Sequence, residues 1–221
     1  MRVIVPGAPG TNKFILAINV STRYHLRQYS YRFLVLDYMK SNKADSKEIR
    51  FLWSQSLSFP PGLAFKVVEK YLFDKKVYDN FVLDGYPKGA SEAELLKNYL
   101  IKNNNNTHSY SIILNEKITK IYTIMKSKMI CPNCSYILNT IIINPIFEQK
   151  CPYCHTALIK GELKENTNKQ QIEESYNRYR QEVKGIKSNL KDFSKVLVFS
   201  GKEYQSELIN KVFSELDKNE H

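Results

Sequence analysis

The chain has 221 residues, 43% of them hydrophobic and 25% charged, a balance that supplies a core and excludes a wholly disordered chain. Its length suits one α/β domain with insertions or two small domains, and no run approaches the ~18 consecutive apolar residues of a membrane span. The formal charge of +11 rests on 26 lysines and only 7 arginines, so anionic partners are expected, met mostly by point charges rather than by arginine's planar two-donor fork.

The opening "RVIV" reads as a short buried strand, followed by the glycine-proline turn "PGAPG". No apolar leader or cleavage site precedes it, so a cytoplasmic protein with reduced cysteines is expected. The spacing of Phe14, Ile15, Ile18 and Leu26 predicts a helix over residues 12–29. "PPGLAFKVVEKYLF" (60–73) reads as a helix entered through prolines. "NFVLDGYPKG" is a second apolar strand ending in an acid and a turn, and "SEAELLKNYLIK" is a helix opened by a capping box at Ser91 and Glu94. The tract Asn103–Asn106 predicts a surface loop before a third strand, "SYSIIL". "EKITKIYTIMKSK" is helical, a cysteine module spans 131–154, and a long polar helix covers Lys169–Lys184. "KVLVFSG" and "EYQSELINKVFSEL" close the chain as strand and helix. Strands alternating with helices predict a parallel sheet covered on both faces.

All four cysteines lie in two knuckles, Cys131/Cys134 and Cys151/Cys154, with 16 residues between them. Paired C-x-x-C turns direct four thiolates at one tetrahedral ion, which suits structural zinc. Taken singly, "CPYC" matches a redox pair and "CPYCH", through His155, a haem attachment string. Neither accounts for the mirrored second pair. A metal-free loop of reduced thiols is the plain alternative. With four thiolate ligands no coordination position is left for water, so the metal would fold the segment rather than catalyse.

"GAPGTNKF" after the first strand approaches the phosphate-loop pattern G-x-x-x-x-G-K-[ST]. Gly7, Ala8, Pro9, Gly10, Thr11, Asn12 and Lys13 form the candidate cradle, whose backbone N–H groups and following helix N-terminus suit a phosphate. Asn12 replaces a glycine, although asparagine tolerates positive φ, and Phe14 and Ile15 leave no hydroxyl for a metal ion. An ordinary strand-to-helix turn is the competing reading. Asp84, ending "FVLD", suits an acid that holds Mg²⁺ through water; alone, it also suits a turn or a cap.

Together these residues resemble the adenylate kinase family, in its zinc-lid subgroup, over nearly the whole chain. "MRVIVPGAPGTNK", "NFVLDGYPKGASEAE", the two cysteine knuckles and "LVFSGKEYQSELINKV" are similar to four family segments. The resemblance implies one domain over 1–221, with a phosphate-loop parallel sheet flanked by helices. It also implies a monophosphate-binding insert at 30–60 and a zinc lid at 128–164. The implied reaction moves the γ-phosphoryl group of Mg-ATP onto AMP, by positioning and cationic stabilisation, while lid closure excludes water. It further implies Lys13, Asp84 and Lys128 as catalytic machinery, Ser30, Gly85, Lys88 and Glu92 at the monophosphate, and Zn²⁺ on Cys131, Cys134, Cys151 and Cys154. A monomer without membrane or nucleic-acid partners is expected.

The sequence departs from the family at its arginines. Leu36, Ile124 and Ser175 stand where arginines belong, Lys88 and Lys128 replace two more, and Lys160 or Lys164 substitutes after the lid. Arg178 and Arg180 lie about a turn beyond Ser175, and Glu92 replaces the glutamine that reads adenine. A lost contact to a transferring phosphoryl group is worth about 10²- to 10³-fold in rate. Two functions compete, a weakened monophosphate kinase and a degenerate nucleotide- or partner-binding protein. A zinc-ribbon nucleic-acid binder is a third, disfavoured by lysines scattered along the chain with no dense block.

Overall fold

The first apolar run forms β1 (Arg2–Val5), buried along its whole length, and the turn after it leads into α1 (Lys13–Arg23). The computed structural model describes residues 1–8, 10–11, 13–41, 44–55, 57–74, 79–103, 107–126, 128–133, 137–139, 150–151, 154–160, 165–200 and 205–218.

The helix predicted through residue 29 ends early. His25 takes a left-handed φ of 53°, which breaks the helical path, and Arg27–Ser30 forms β2 instead. Among the described residues this strand pairs only with β3 (Phe81–Asp84), in parallel, in the register Arg27↔Phe81 to Ser30↔Asp84. Its polar "RQYS" lacks the apolar run of an inner strand, so helical spacing ran on through it.

Next come α2 (Tyr31–Lys40), α3 (Ser46–Ser54) and α4 (Pro61–Asp74), the last entered through the expected prolines. After β3, α5 (Ala90–Asn103) starts one residue before the predicted cap. The Gly89 carbonyl accepts the Ala93 N–H at 3.0 Å, so Gly89 is the capping residue and Ser91 lies exposed inside the first turn. Asn103 closes α5, and the rest of the asparagine tract lies outside the described residues.

Then follow β4 (Ser109–Asn115), α6 (Ile118–Lys126) and a small antiparallel sheet of β5 (Lys128–Ile130), β6 (Ile137–Asn139) and β7 (Ile159–Lys160). The predicted polar helix extends further both ways as α7 (Glu165–Lys191), and β8 (Lys195–Ser200) and α8 (Gln205–Asp217) complete the fold.

The main sheet has the order β2-β3-β1-β4-β8, every pair parallel. Alternation along the strands divides the core. Val3, Val5 and Val82 pack with Leu16 and Val20 of α1 and Val212 of α8. Ile4, Phe81 and Leu83 face the opposite layer, where Val35, Val68, Leu96 and Ile186 come from α2, α4, α5 and α7. The order reverses beside β1, and a parallel sheet opens its ligand crevice at the carboxyl ends of strands next to such a reversal. Among the described residues, no helix is long and apolar enough to cross a membrane.

Candidate functional site

The turn after β1 folds back on itself. Gly7 bridges to Leu114 of β4, Gly10 takes a positive φ of 79°, and the Thr11 hydroxyl donates to the Ala8 carbonyl at 2.9 Å. A Cβ on Gly7 would lie 3.0 Å from the Thr11 Oγ1, so a larger residue would displace that hydroxyl. The Lys13 ammonium donates to the Ala8 carbonyl at 2.8 Å and lies 3.4 Å from the Thr11 Oγ1. Burial lowers the pKa of Lys13 to about 8; Asp84 opposes that shift and Lys88 adds to it. Pro9 and Asn12 lie outside the described residues.

Asp84, at the end of β3, is buried. Gln28 Nε2 donates to its Oδ2 at 3.2 Å and the Ser30 hydroxyl to its Oδ1 at 3.3 Å. Both donors come from β2, so the strand that sequence pattern concealed is the one that orients this acid. Burial pushes the Asp84 carboxyl up to about 6, against the pull of Gln28, Lys13 and Ser30.

Beyond Asp84, Gly85 has φ 77° and the Tyr86–Pro87 peptide is cis. The chain then presents Lys88, whose ammonium lies 4.6 Å from the centroid of the Tyr31 ring. Lys88 reaches solvent through the open cleft, yet the surrounding walls lower its pKa; Glu92 opposes that shift, and Arg32 and Arg178 reinforce it. The Glu92 carboxylate accepts the Lys88 N–H at 2.7 Å, and the Glu182 carboxylate accepts the Ala90 N–H at 2.7 Å. Both acids are therefore engaged at the start of α5, where the helix dipole favours negative charge.

These groups line one cavity of about 550 Å³. Gly7, Thr11, Lys13, Asp84 and Lys88 contribute from the sheet side. Facing them are Arg32 of α2, Trp53 of α3, Phe59, and Arg178 and Tyr179 of α7. Tyr179 is buried, and its hydroxyl has no hydrogen-bond partner among the described residues.

The cysteine module is a second centre. The sulfurs of Cys131, Cys151 and Cys154 all lie within 4.8 Å of one another, and those of Cys131 and Cys154 are 3.4 Å apart. Tetrahedral zinc–thiolate bonds place sulfurs ~3.8 Å apart, so these donors fit zinc. The backbone of the second knuckle supports them. The Cys151 N–H donates to the Thr156 carbonyl at 2.8 Å, and the His155 N–H to the Cys151 carbonyl at 2.9 Å. Cys134 lies outside the described residues. Phe14 and Ile15, which stand where the phosphate-loop pattern would put a hydroxyl, pack with Phe33 against Cys131, Cys151 and Leu158.

No family model matches the chain. It is similar to curated adenylate kinases at low identity. It is 24% identical to that of Kosmotoga olearia over 162 residues, covering 73% of this chain and 75% of the relative. Against the adenylate kinase of Petrotoga mobilis it is 20% identical over 214 residues, 97% of this chain and 96% of that one. The adenylate kinase of Chlamydia caviae is 28% identical over 159 residues, 71% of each chain. The chain is therefore similar to adenylate kinases over most of its length, at 20–28% identity.

In this chain the cleft brings together Gly7, Thr11, Lys13, Ser30, Asp84, Gly85, Lys88 and Glu92 of the expected site. Lys128 lies apart from them in sequence order, as the first residue of β5 in the small sheet. Ser175 and Arg178 line the cleft, whereas Arg180 is exposed and is not among its lining residues. Leu36, half-buried on α2, brings no charge. Sequence reasoning missed Arg32, Gln28 and Glu182, since no motif position marks them. The one available signal was spacing, because Arg32 lies a helical turn before Leu36.

Proposed function

We propose that the chain transfers the γ-phosphoryl group of ATP to a nucleoside monophosphate, with AMP as the first acceptor to test. The convergence of Lys13, Asp84 and Lys88 on one cleft at the strand ends carries this reading; the adenylate kinase relatives support its kinase class. An acceptor phosphate oxygen attacks the γ-phosphorus, and the bond to the bridging oxygen breaks to release ADP. Lys13 and the backbone of the turn hold the donor's phosphates, and Asp84 stands where Mg²⁺ entering with ATP would be held through water. Lys88 lies on the acceptor side. Residues 30–60 would form the monophosphate region and 128–164 a lid carrying Lys128 towards the transferring group, within a single monomeric domain of the cytoplasm. Zinc on Cys131, Cys151 and Cys154, with Cys134 as fourth ligand, would supply folding energy to that lid.

Activity below the family's level follows from the arginines replaced by Leu36, Ile124 and Ser175. Lysine at 88 and 128 keeps charge without the two-donor geometry. Phosphorus NMR of ATP incubated with AMP, UMP, CMP or GMP tests the reading: the matching diphosphate forms with at least one acceptor. Diphosphate formation with none of the four contradicts it.

A second reading, nucleotide binding without transfer, is favoured by Phe14 and Ile15. They spend the positions after Lys13 on packing against the cysteine cluster. It requires ATP binding by calorimetry together with silent phosphorus spectra.

A further inference from the structure

Beside Lys13, three further cations face the cleft from three different elements: Arg32 on α2, Lys88 after β3 and Arg178 on α7. The positive charge of Lys88 weighs on Lys13, and the charges of Arg32 and Arg178 weigh on Lys88. This order runs from the glycine-rich turn, through Lys88, to the two arginines. Three acids share the cleft: Asp84 opposes the effect on Lys13 and Glu92 that on Lys88, while the Glu92 and Glu182 carboxylates also accept the backbone N–H groups of Lys88 and Ala90. Like charges gathered in a cleft are unfavourable until an anion enters.

Both arginines are held in place. The Arg32 guanidinium lies 5.1 Å from the centre of the Trp53 ring, and stacking of this kind leaves the donors directed around the rim of the plane. Arg178 donates through Nη1 to the Ser58 hydroxyl, in the segment between α3 and α4. Planar forks suit phosphate, which accepts two parallel N–H bonds. A phosphate monoester carries nearly two negative charges at neutral pH, one for each guanidinium fork. Arg32 is four residues before Leu36 and Arg178 three after Ser175, so each shares a helical face with the uncharged residue.

We propose that Arg32 and Arg178 clamp the phosphate of the acceptor nucleotide, from positions one helical turn away from Leu36 and Ser175. The assignment rests on the monophosphate kinase reading, and it names the residues that hold the acceptor.

The test is calorimetric titration of the full-length wild type, Arg32→Ala, Arg178→Ala, Arg32→Lys and Arg178→Lys. The probes are AMP, UMP, CMP and GMP, and then the parent nucleoside of whichever binds. Each alanine variant should weaken the monophosphate by about 10- to 100-fold, the range for a charge-assisted phosphate contact. The lysine variants should fall in between, and nucleoside affinity and thermal midpoint should stay at wild-type values. Wild-type monophosphate affinity in both alanine variants overturns the clamp and leaves the kinase reading intact. Equal loss of nucleoside and monophosphate also overturns it, because the arginines would then shape the base pocket. A wild type that binds none of the four removes the kinase reading and the clamp with it.

Discussion

The Glu182 carboxylate accepts the Ala90 backbone N–H at 2.7 Å across 92 positions of sequence. A residue of α7 thereby caps the first turn of α5, at the wall of the cleft that presents Lys88. Removing a side chain that caps a helix N-terminus costs about 1 kcal/mol. Glu182→Ala should lower the melting temperature by about 2–4 °C, the shift that such a loss produces in a domain of this size. Differential scanning calorimetry reads the change, and Glu182→Gln, which keeps an acceptor oxygen, should restore part of it.

The same pair of helices sets the sign of a second substitution. Glycine inside a helix normally costs about 1 kcal/mol relative to alanine, so Gly185→Ala on α7 ought to stabilise. Here an added Cβ would lie 2.6 Å from the Ala90 Cβ, which neither rigid methyl group can relieve. Overpacking of that kind costs about 1–3 kcal/mol. Gly185→Ala should therefore lower the urea midpoint, whereas alanine at the uncrowded Gly62, with nothing within 4 Å of its added Cβ, should not show this clash penalty.

Lys13 and Asp84 set opposite limbs of a pH profile. Asp84 ionises near 6 instead of 3.8, and Lys13 loses its proton near 8 instead of 10.5. Transfer that needs a carboxylate and an ammonium should peak between these values and fall on both sides. The effect on stability has the reverse sense. The native state binds more protons than the unfolded state as pH rises from about 4 to 6, so the Asp84 contribution falls there. It binds fewer from about 8 to 10.5, so the Lys13 contribution rises there. Asp84→Asn should then flatten the fall in stability between about pH 4 and 6, while removing the acid limb and most of the activity. Denaturation at pH 5, 7 and 9 checks both senses.

The cysteine module gives a prediction about metal. The protein should purify with about one zinc per chain, and Cys151→Ser should reduce that content and expose the region around β5–β7 to protease. The parallel sheet should keep its cooperative melt, since its two cores draw on other residues. Cys134→Ser should match Cys151→Ser in zinc content. Zinc retained by both variants would refute a four-cysteine site.

The pattern of apolar runs makes β1, β3 and β4 legible, because inner strands of a parallel sheet are buried on both faces and read as unbroken hydrophobic stretches, and β8, at an edge of the sheet, is legible from its own apolar run "VLVF". It conceals β2, a polar edge strand, and with it the Gln28 contact that orients Asp84. Asp84 stands out because it ends such a run, and Lys13 because it follows the glycine-rich turn after one. Arg32, Glu182 and Gly185 do not, since each acts through helices brought together by the fold, and no local spacing records which helix α7 meets. Phe14 and Ile15, departures from the phosphate-loop pattern, gain a physical reason only when the cysteine module is seen packed on them.

The central claim is that this cleft moves a phosphoryl group from ATP to a monophosphate through Lys13. The most direct measurement is steady-state, AMP-dependent formation of ADP from ATP by the wild type beside Lys13→Ala. We expect ADP in proportion to wild-type enzyme and a loss of at least about 10²-fold in the variant, the scale of one electrostatic contact to the transferring group. No AMP-dependent ADP from the wild type, or equal rates from both proteins, would contradict the account.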